Sequence, residues 1–106
     1  MKKIEKLMLI GVEDIAFPDK DKNGEETGKI VEKTKFTFVN AKQKFREIGI
    51  DRDHKEIANL KKNLFEGYKQ DEEGMPIFDA THSIEISFTG KVYKGDLGWK
   101  FDTLKA

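Results

Sequence analysis

Cysteine is absent from the 106-residue chain, which excludes disulfides, zinc ribbons, thiol catalysis and thioether-linked haem. There is no need for an oxidising compartment. Only two histidines occur, His54 and His82, and neither has a second His or Cys at metal-ligand spacing. Asp79 and His82 share a ligand face only in a turn, and two ligands make a poor zinc site. No apolar run approaches the ~18 residues a membrane span needs. Met1-Lys2-Lys3 before Ile4 to Val12 invites a signal-peptide reading, but Glu5 and Lys6 interrupt the run and no small-residue cleavage site follows. That segment reads as a first strand of a cytoplasmic protein. An excess of positive charge is missing too, since 20 Lys and Arg balance 20 Asp and Glu. Any nucleic-acid contact therefore has to come from one local face.

The signs of charge are not evenly spread. Glu13 to Glu26 holds six acids against Lys20 and Lys22, Lys29 to Lys69 holds eleven bases against six acids, and Asp71 to Glu85 contains acids with no Lys or Arg. Eight Phe, Trp99, Tyr68 and Tyr93 stand beside ample Ile, Leu and Val, which argues against disorder despite 38% charged residues. At this length one core is expected, burying roughly two-thirds of the unfolded surface, with no linker, repeat or second domain in residues 1–106.

Ile4 to Ile10 is apolar on both parities, as in a strand covered on both faces, and Gly11 permits a bulge. Pro18 marks the end of that strand, and Asn23-Gly24 is a strong hairpin signal. In the next strand, Lys29 to Val39, Ile30, Phe36 and Phe38 share one parity, while Lys33, Lys35 and Thr37 take the other. Asn40 with Gln43 then reads as a capping box, with Ala41, Phe45 and Ile48 at helical spacing up to Gly49. Asp53 with Glu56 repeats that pattern ahead of Ile57, Leu60, Leu64 and Tyr68. Period two returns from Ser83, with Ile84, Ile86, Phe88 and Val92 on one side, and Gly95-Asp96-Leu97-Gly98 reads as a hairpin tip before Trp99, Phe101 and Thr103. These patterns predict an α+β fold of order β-β-α-α-β-β, a small antiparallel sheet or half-open β-barrel with helices on one side.

Catalytic signatures are missing. Asp19-Lys20-Asp21-Lys22-Asn23-Gly24 begins like a calcium loop, but Ile30 stands where the bidentate Glu belongs and strands flank the segment, so it reads as a polar hairpin tip. Ser83 and Ser87 lack a nucleophile elbow. Glu25-Glu26 and Glu72-Glu73 lie in polar loops, where carboxyl groups are solvated, whereas general acid work needs one of them desolvated. Gly95 to Gly98 lacks the Lys-Ser/Thr ending of a phosphate loop. The reading is of a chain that is not an enzyme, with no catalytic residue, no metal ligand, no cofactor and no evident small-molecule substrate.

One constellation is suited to binding. Lys91, Tyr93 and Lys94 lie across the last hairpin from Trp99 and Lys100, with Lys33 and Lys35 on the wet parity of the second strand. Lysines neutralise phosphates, and flat rings stack bases at about 1–3 kcal/mol each. The competing structural reading makes Trp99 the largest plug of the core and the lysines solubilising groups on edge strands. The positive reading is single-stranded RNA or DNA binding; the competing one is a protein-interaction module, such as a phage or plasmid inhibitor or adaptor, docking through charged stripes.

The runs Asp21-Lys22-Asn23-Gly24 and Gly28-Lys29-Ile30-Val31-Glu32-Lys33-Thr34-Lys35-Phe36, with Tyr93-Lys94-Gly95 and Trp99, resemble a small PrgU-like family. Its members are encoded beside transfer genes of Gram-positive conjugative transposons and pheromone plasmids. The resemblance covers about two-fifths of the chain by residue pattern and leaves Ala41 to Tyr68 a poorer fit. It implies a PUA-like or OB-like fold and RNA-linked regulation of conjugation genes in a mobile element, and it carries over no catalytic residue.

Overall fold

Five strands make one antiparallel sheet in the order β3-β2-β1-β4-β5. They are β1 (Lys2–Lys20), β2 (Glu26–Asn40), β3 (Phe45–Asp51), β4 (Ile84–Tyr93) and β5 (Asp96–Lys105), with a five-residue helix α1 (Ile57–Lys61) and a 3₁₀ turn at Ala80–His82. This computed structural model describes residues 1–93 and 96–105.

The same local device makes three of the chain reversals. Asp21, Asn40 and Asp71 each accept, on one side-chain oxygen, the N–H groups two and four residues later, at 2.8 to 3.1 Å. The fourth residue of each turn has positive φ: Gly24 at 82°, Gln43 at 58° and Gly74 at 83°. Glycine is free to occupy that region, whereas a Cβ there costs about 1–2 kcal/mol. Replacing Gln43 by Gly is therefore expected to stabilise the fold by about 0.5–1 kcal/mol, after allowing for the looser unfolded chain. A urea unfolding midpoint that rises at unchanged slope checks this; an unmoved or lowered midpoint contradicts it.

A register shift between Leu9 and Gly11 sets Leu7, Leu9 and Val12 on one face, beside Phe36 and Phe38 of β2. That face carries the core, whose buried members include Leu7, Leu9, Phe36, Phe38, Ile50, Leu60, Ile86 and Phe101. Five helical residues do not hold together by propensity alone, so α1 owes its existence to burying Ile57 and Leu60 against this face. Thr34 is fully buried within the sheet, and its hydroxyl is satisfied by donating to Asp14 Oδ1 at 2.8 Å.

Among the described residues, the ladders beyond Lys33 and Ile15 join β1 and β2 to each other alone, so residues 16–32 project as a two-stranded ribbon, met at its base by the Arg52 N–H, which donates to the Glu32 carbonyl at 3.4 Å. Phe17 and Ile30 on it are 42% and 62% exposed. Arg52 clamps its base: Nη2 donates to the Ile15 carbonyl at 2.7 Å, and the guanidinium lies 3.9 Å from Asp14 and 3.8 Å from Glu32.

The structure overturns the α+β expectation and its β-β-α-α-β-β order. Asn40 caps a β-turn instead of a helix, and Phe45–Asp51 pairs with β2 from Val39↔Phe45 to Lys33↔Asp51. Ile48 and Ile50 reach the core by period two, opposite Phe36 and Thr34. The second expected helix stops after Lys61, because the chain turns to bring Leu64 against the core and to let the Phe65 N–H donate to the Leu9 carbonyl at 3.0 Å. Glu56, not the expected Asp53, holds the N-cap position of α1, without a side-chain cap, and its own N–H donates to His54 Nδ1 at 3.0 Å in the turn ahead of the helix. No pair of helices covers one side of the described sheet. The last hairpin also turns earlier than expected: β4 and β5 pair as far as Tyr93↔Asp96, so Asp96, Leu97 and Gly98 belong to the strand.

Candidate functional site

Strands β3 and β5 close the two ends of the strand order, yet the sheet curls until they approach each other. A groove of about 380 Å³ runs between them. Glu47, Ile48 and Gly49 form its β3 wall, and Gly98, Trp99, Lys100 and Phe101 form its β5 wall. Lys33 and Lys91 complete the lining. Because the groove separates two strand edges, it is reached by side chains from both faces of the sheet.

Register explains how each side chain arrives. Lys91 pairs with Gly98, and Lys100 with Thr89, on the face away from the core, and both lysines are exposed. Among the described residues neither has a carboxylate at ion-pair distance. Lys33 crosses the flat spot left by Gly49, where a Cβ would sit 3.4 Å from Lys33 Cδ, and its ammonium meets Asp51 at 3.1 Å. Trp99 pairs with Gly90 and Phe101 with Phe88, so the indole belongs to the core parity and is half-buried against it.

Of the residues the sequence singles out, Lys33, Lys91, Trp99 and Lys100 thus meet in one groove. Lys35 does not line it; its ammonium turns to Glu13 on β1, at 3.4 Å. Lys94 and the side chain of Tyr93 lie outside the described residues.

Sequence reasoning missed a second cluster at the end of this groove. Lys3 and Glu5 fall opposite Phe88 and Ile86, and Arg46 opposite Phe38, so all three take the parity of the core. Lys3 Nζ and Arg46 Nη2 both meet Glu5 Oε1, at 2.7 and 2.8 Å, while Oε2 is turned from water with no hydrogen-bond partner among the described residues. The Lys3 ammonium also lies 4.3 Å from the Trp99 ring centroid, within cation–π range. A sequence signal existed: positions 3, 5, 7 and 9 read Lys, Glu, Leu, Leu, which sets two charges on the parity of two core leucines.

Elsewhere polar groups are taken up locally. Hydrogen bonds from the Thr81 hydroxyl at 2.7 Å and the Thr81 N–H at 2.9 Å, with the His82 ring at 3.1 Å, hold the Asp79 carboxyl below its ordinary range. His82 stacks on Phe65 with centroids 3.8 Å apart. In the Asp19–Gly24 tip, Asp21 is engaged by backbone N–H groups and Asp19 by the Thr27 hydroxyl. Among the described residues no three His, Cys, Asp or Glu side chains cluster as a metal would need, and no helix is long and apolar enough to cross a membrane.

No family model, curated protein or solved structure matches the chain.

Proposed function

We propose that the chain is a non-catalytic binding module that takes a single strand of RNA or DNA along the β3–β5 groove. The observation that carries this reading is the meeting of Lys33, Lys91 and Lys100 around the half-buried indole of Trp99. Two of those ammonium groups have no carboxylate partner to give up among the described residues, so a phosphate replaces only water and counterions. The half-buried indole offers a flat face for one base to stack on, worth about 1–3 kcal/mol. With zero net charge the rest of the molecule adds no general attraction for polyanions, so binding should be modest and salt-sensitive.

The test uses the single tryptophan. Titrating short single-stranded RNA and DNA at low salt should quench Trp99 fluorescence and raise the anisotropy of labelled strands, both effects fading as salt increases. Unchanged signals with both polymers would reject the groove as a nucleic-acid site. A cytoplasmic location goes with this reading, since that is where a message or a transferring strand is met. A regulatory role in a mobile element is the part of the reading that rests on the PrgU-like resemblance of Asp21 to Phe36 and of Tyr93 to Trp99.

One observation favours a protein partner instead. The ribbon of residues 16–32 presents Phe17 on one face and Ile30 on the other to solvent, among five acids and the lysines Lys20, Lys22 and Lys29, as a docking arm gripped by a protein partner would. A specific partner that stays bound after nuclease treatment, and is lost on Phe17→Ser with Ile30→Ser, is the outcome that selects this second reading.

A further inference from the structure

We infer that the cavity at the Lys3–Glu5–Arg46 end of the groove is a nucleobase subsite selective for guanine. It deepens the single-strand reading and rests on it. The cavity encloses about 230 Å³ and shares Trp99, Ile48 and Glu47 with the lysine-lined part, so a strand lying on Lys33, Lys91 and Lys100 has one base beside it. That volume suits one ring system more than a larger ligand.

The choice of base follows from hydrogen-bonding pattern. Both cations crowd onto Glu5 Oε1, and among the described residues Oε2 has no donor, although the side chain is only 18% exposed. A desolvated carboxylate oxygen without a donor is unfavourable, and a ligand that brings N–H groups relieves it. Among the standard bases guanine alone offers two adjacent N–H donors on one edge, at N1 and the 2-amino group, which match the two oxygens of a carboxylate. Its O6 and N7 are acceptors of the kind that Lys and Arg meet. Cytosine and adenine set an amino group next to an acceptor nitrogen, which a carboxylate repels; uracil and thymine flank a single N–H with carbonyls.

Because Oε2 is closed to solvent, one side chain has to move off Glu5 before a base can pair with its carboxylate. Arg46 lies on the edge strand β3 with its side chain 45% exposed, so it is the member free to swing from Glu5 Oε1 toward O6 and N7. Glu5 stays on the inner strand β1, between β2 and β4. Lys3 remains over the indole, and the base takes the side lined by Ile48 and Phe88.

The experiment compares oligothymidylate with the same strand carrying one central guanine, titrated against the full chain. A bidentate carboxylate contact predicts roughly 5- to 100-fold tighter binding of the guanine strand. Hypoxanthine in place of guanine, which lacks only the 2-amino group, should lose most of that gain with the protein untouched. Glu5→Gln should erase the difference between the two strands; because Glu5 also ties Lys3 to Arg46, the hypoxanthine comparison decides if that variant folds poorly. Equal affinity for the guanine and all-thymine strands overturns the subsite and leaves the groove reading standing. Absence of binding to every strand, with the oligouridylate counterparts of each included, overturns both.

Discussion

Phe36→Ala is expected to destabilise the fold by about 3–5 kcal/mol and to lower the thermal midpoint by roughly 15 °C or more. Phe36 is fully buried in the middle of the sheet, paired with Val12 of β1 on one side and Ile48 of β3 on the other. Its ring lies 6.4 Å from that of Phe38 at 23°, so truncation removes an aromatic contact as well as area. The cavity left behind has little to collapse into it, because its walls are strand side chains held by ladders on both edges. Against a total stability of about 5–15 kcal/mol for an ordinary domain, such a loss leaves a substantial unfolded population on warming. Val92 supplies the contrast: it is 73% exposed, and Val92→Ala should change stability by less than about 0.5 kcal/mol. Equal midpoints for the two variants in differential scanning calorimetry would contradict the assignment of this face as the core.

How far the residue pattern discloses the molecule depends on whether local and non-local forces agree. They agree in β2, where Phe36 and Phe38 alternate with Lys35 and Thr37 and the structure buries the first pair. They agree at Asn23-Gly24, where glycine supplies the positive φ the turn needs. They conflict at Asn40. A side chain that accepts N–H groups two and four residues on serves a helix N-cap and a β-turn equally, and Gln43 at φ 58° gives no hint of the left-handed residue that glycine gives at 24 and 74. The decision for β3 comes from pairing with β2, whose inward residues are covered by Ile48 and Ile50.

The candidate site was legible in its residues more than in its geometry. Lys33, Lys91, Trp99 and Lys100 converge, but not as a flat row on one wet face. A shift of register between Ser87 and Phe88 brings Phe101 opposite Phe88 and Trp99 opposite Gly90, which moves the indole to the core side while the lysines stay outside. A one-residue bulge of this kind reverses every parity beyond it and leaves no trace in composition. Arg46 was hidden for a related reason, since its place on the inner face depends on β3 being a strand.

Reversing two charges in the groove separates these geometries by function. On the single-strand reading, Lys91→Glu with Lys100→Glu should weaken binding of an oligonucleotide at low salt by roughly 100-fold or more, because each site turns an attraction to phosphate into a repulsion of similar size. Loss of two phosphate contacts should also flatten the plot of log affinity against log salt by about 1.4, at ~0.7 per contact for a single strand. Folding should be little affected, since both lysines are exposed and neither supports a carboxylate among the described residues. Lys35→Glu is the discriminating comparison. Lys35 shares β2 and its outer face with Lys33, but it points to Glu13 and does not line the groove, so its reversal should cost under about 3-fold, through the long-range field alone. An effect of Lys35→Glu as large as that of either groove lysine would mean that the strand lies across the outer face of the sheet. The gap between its edges would then have no part in binding.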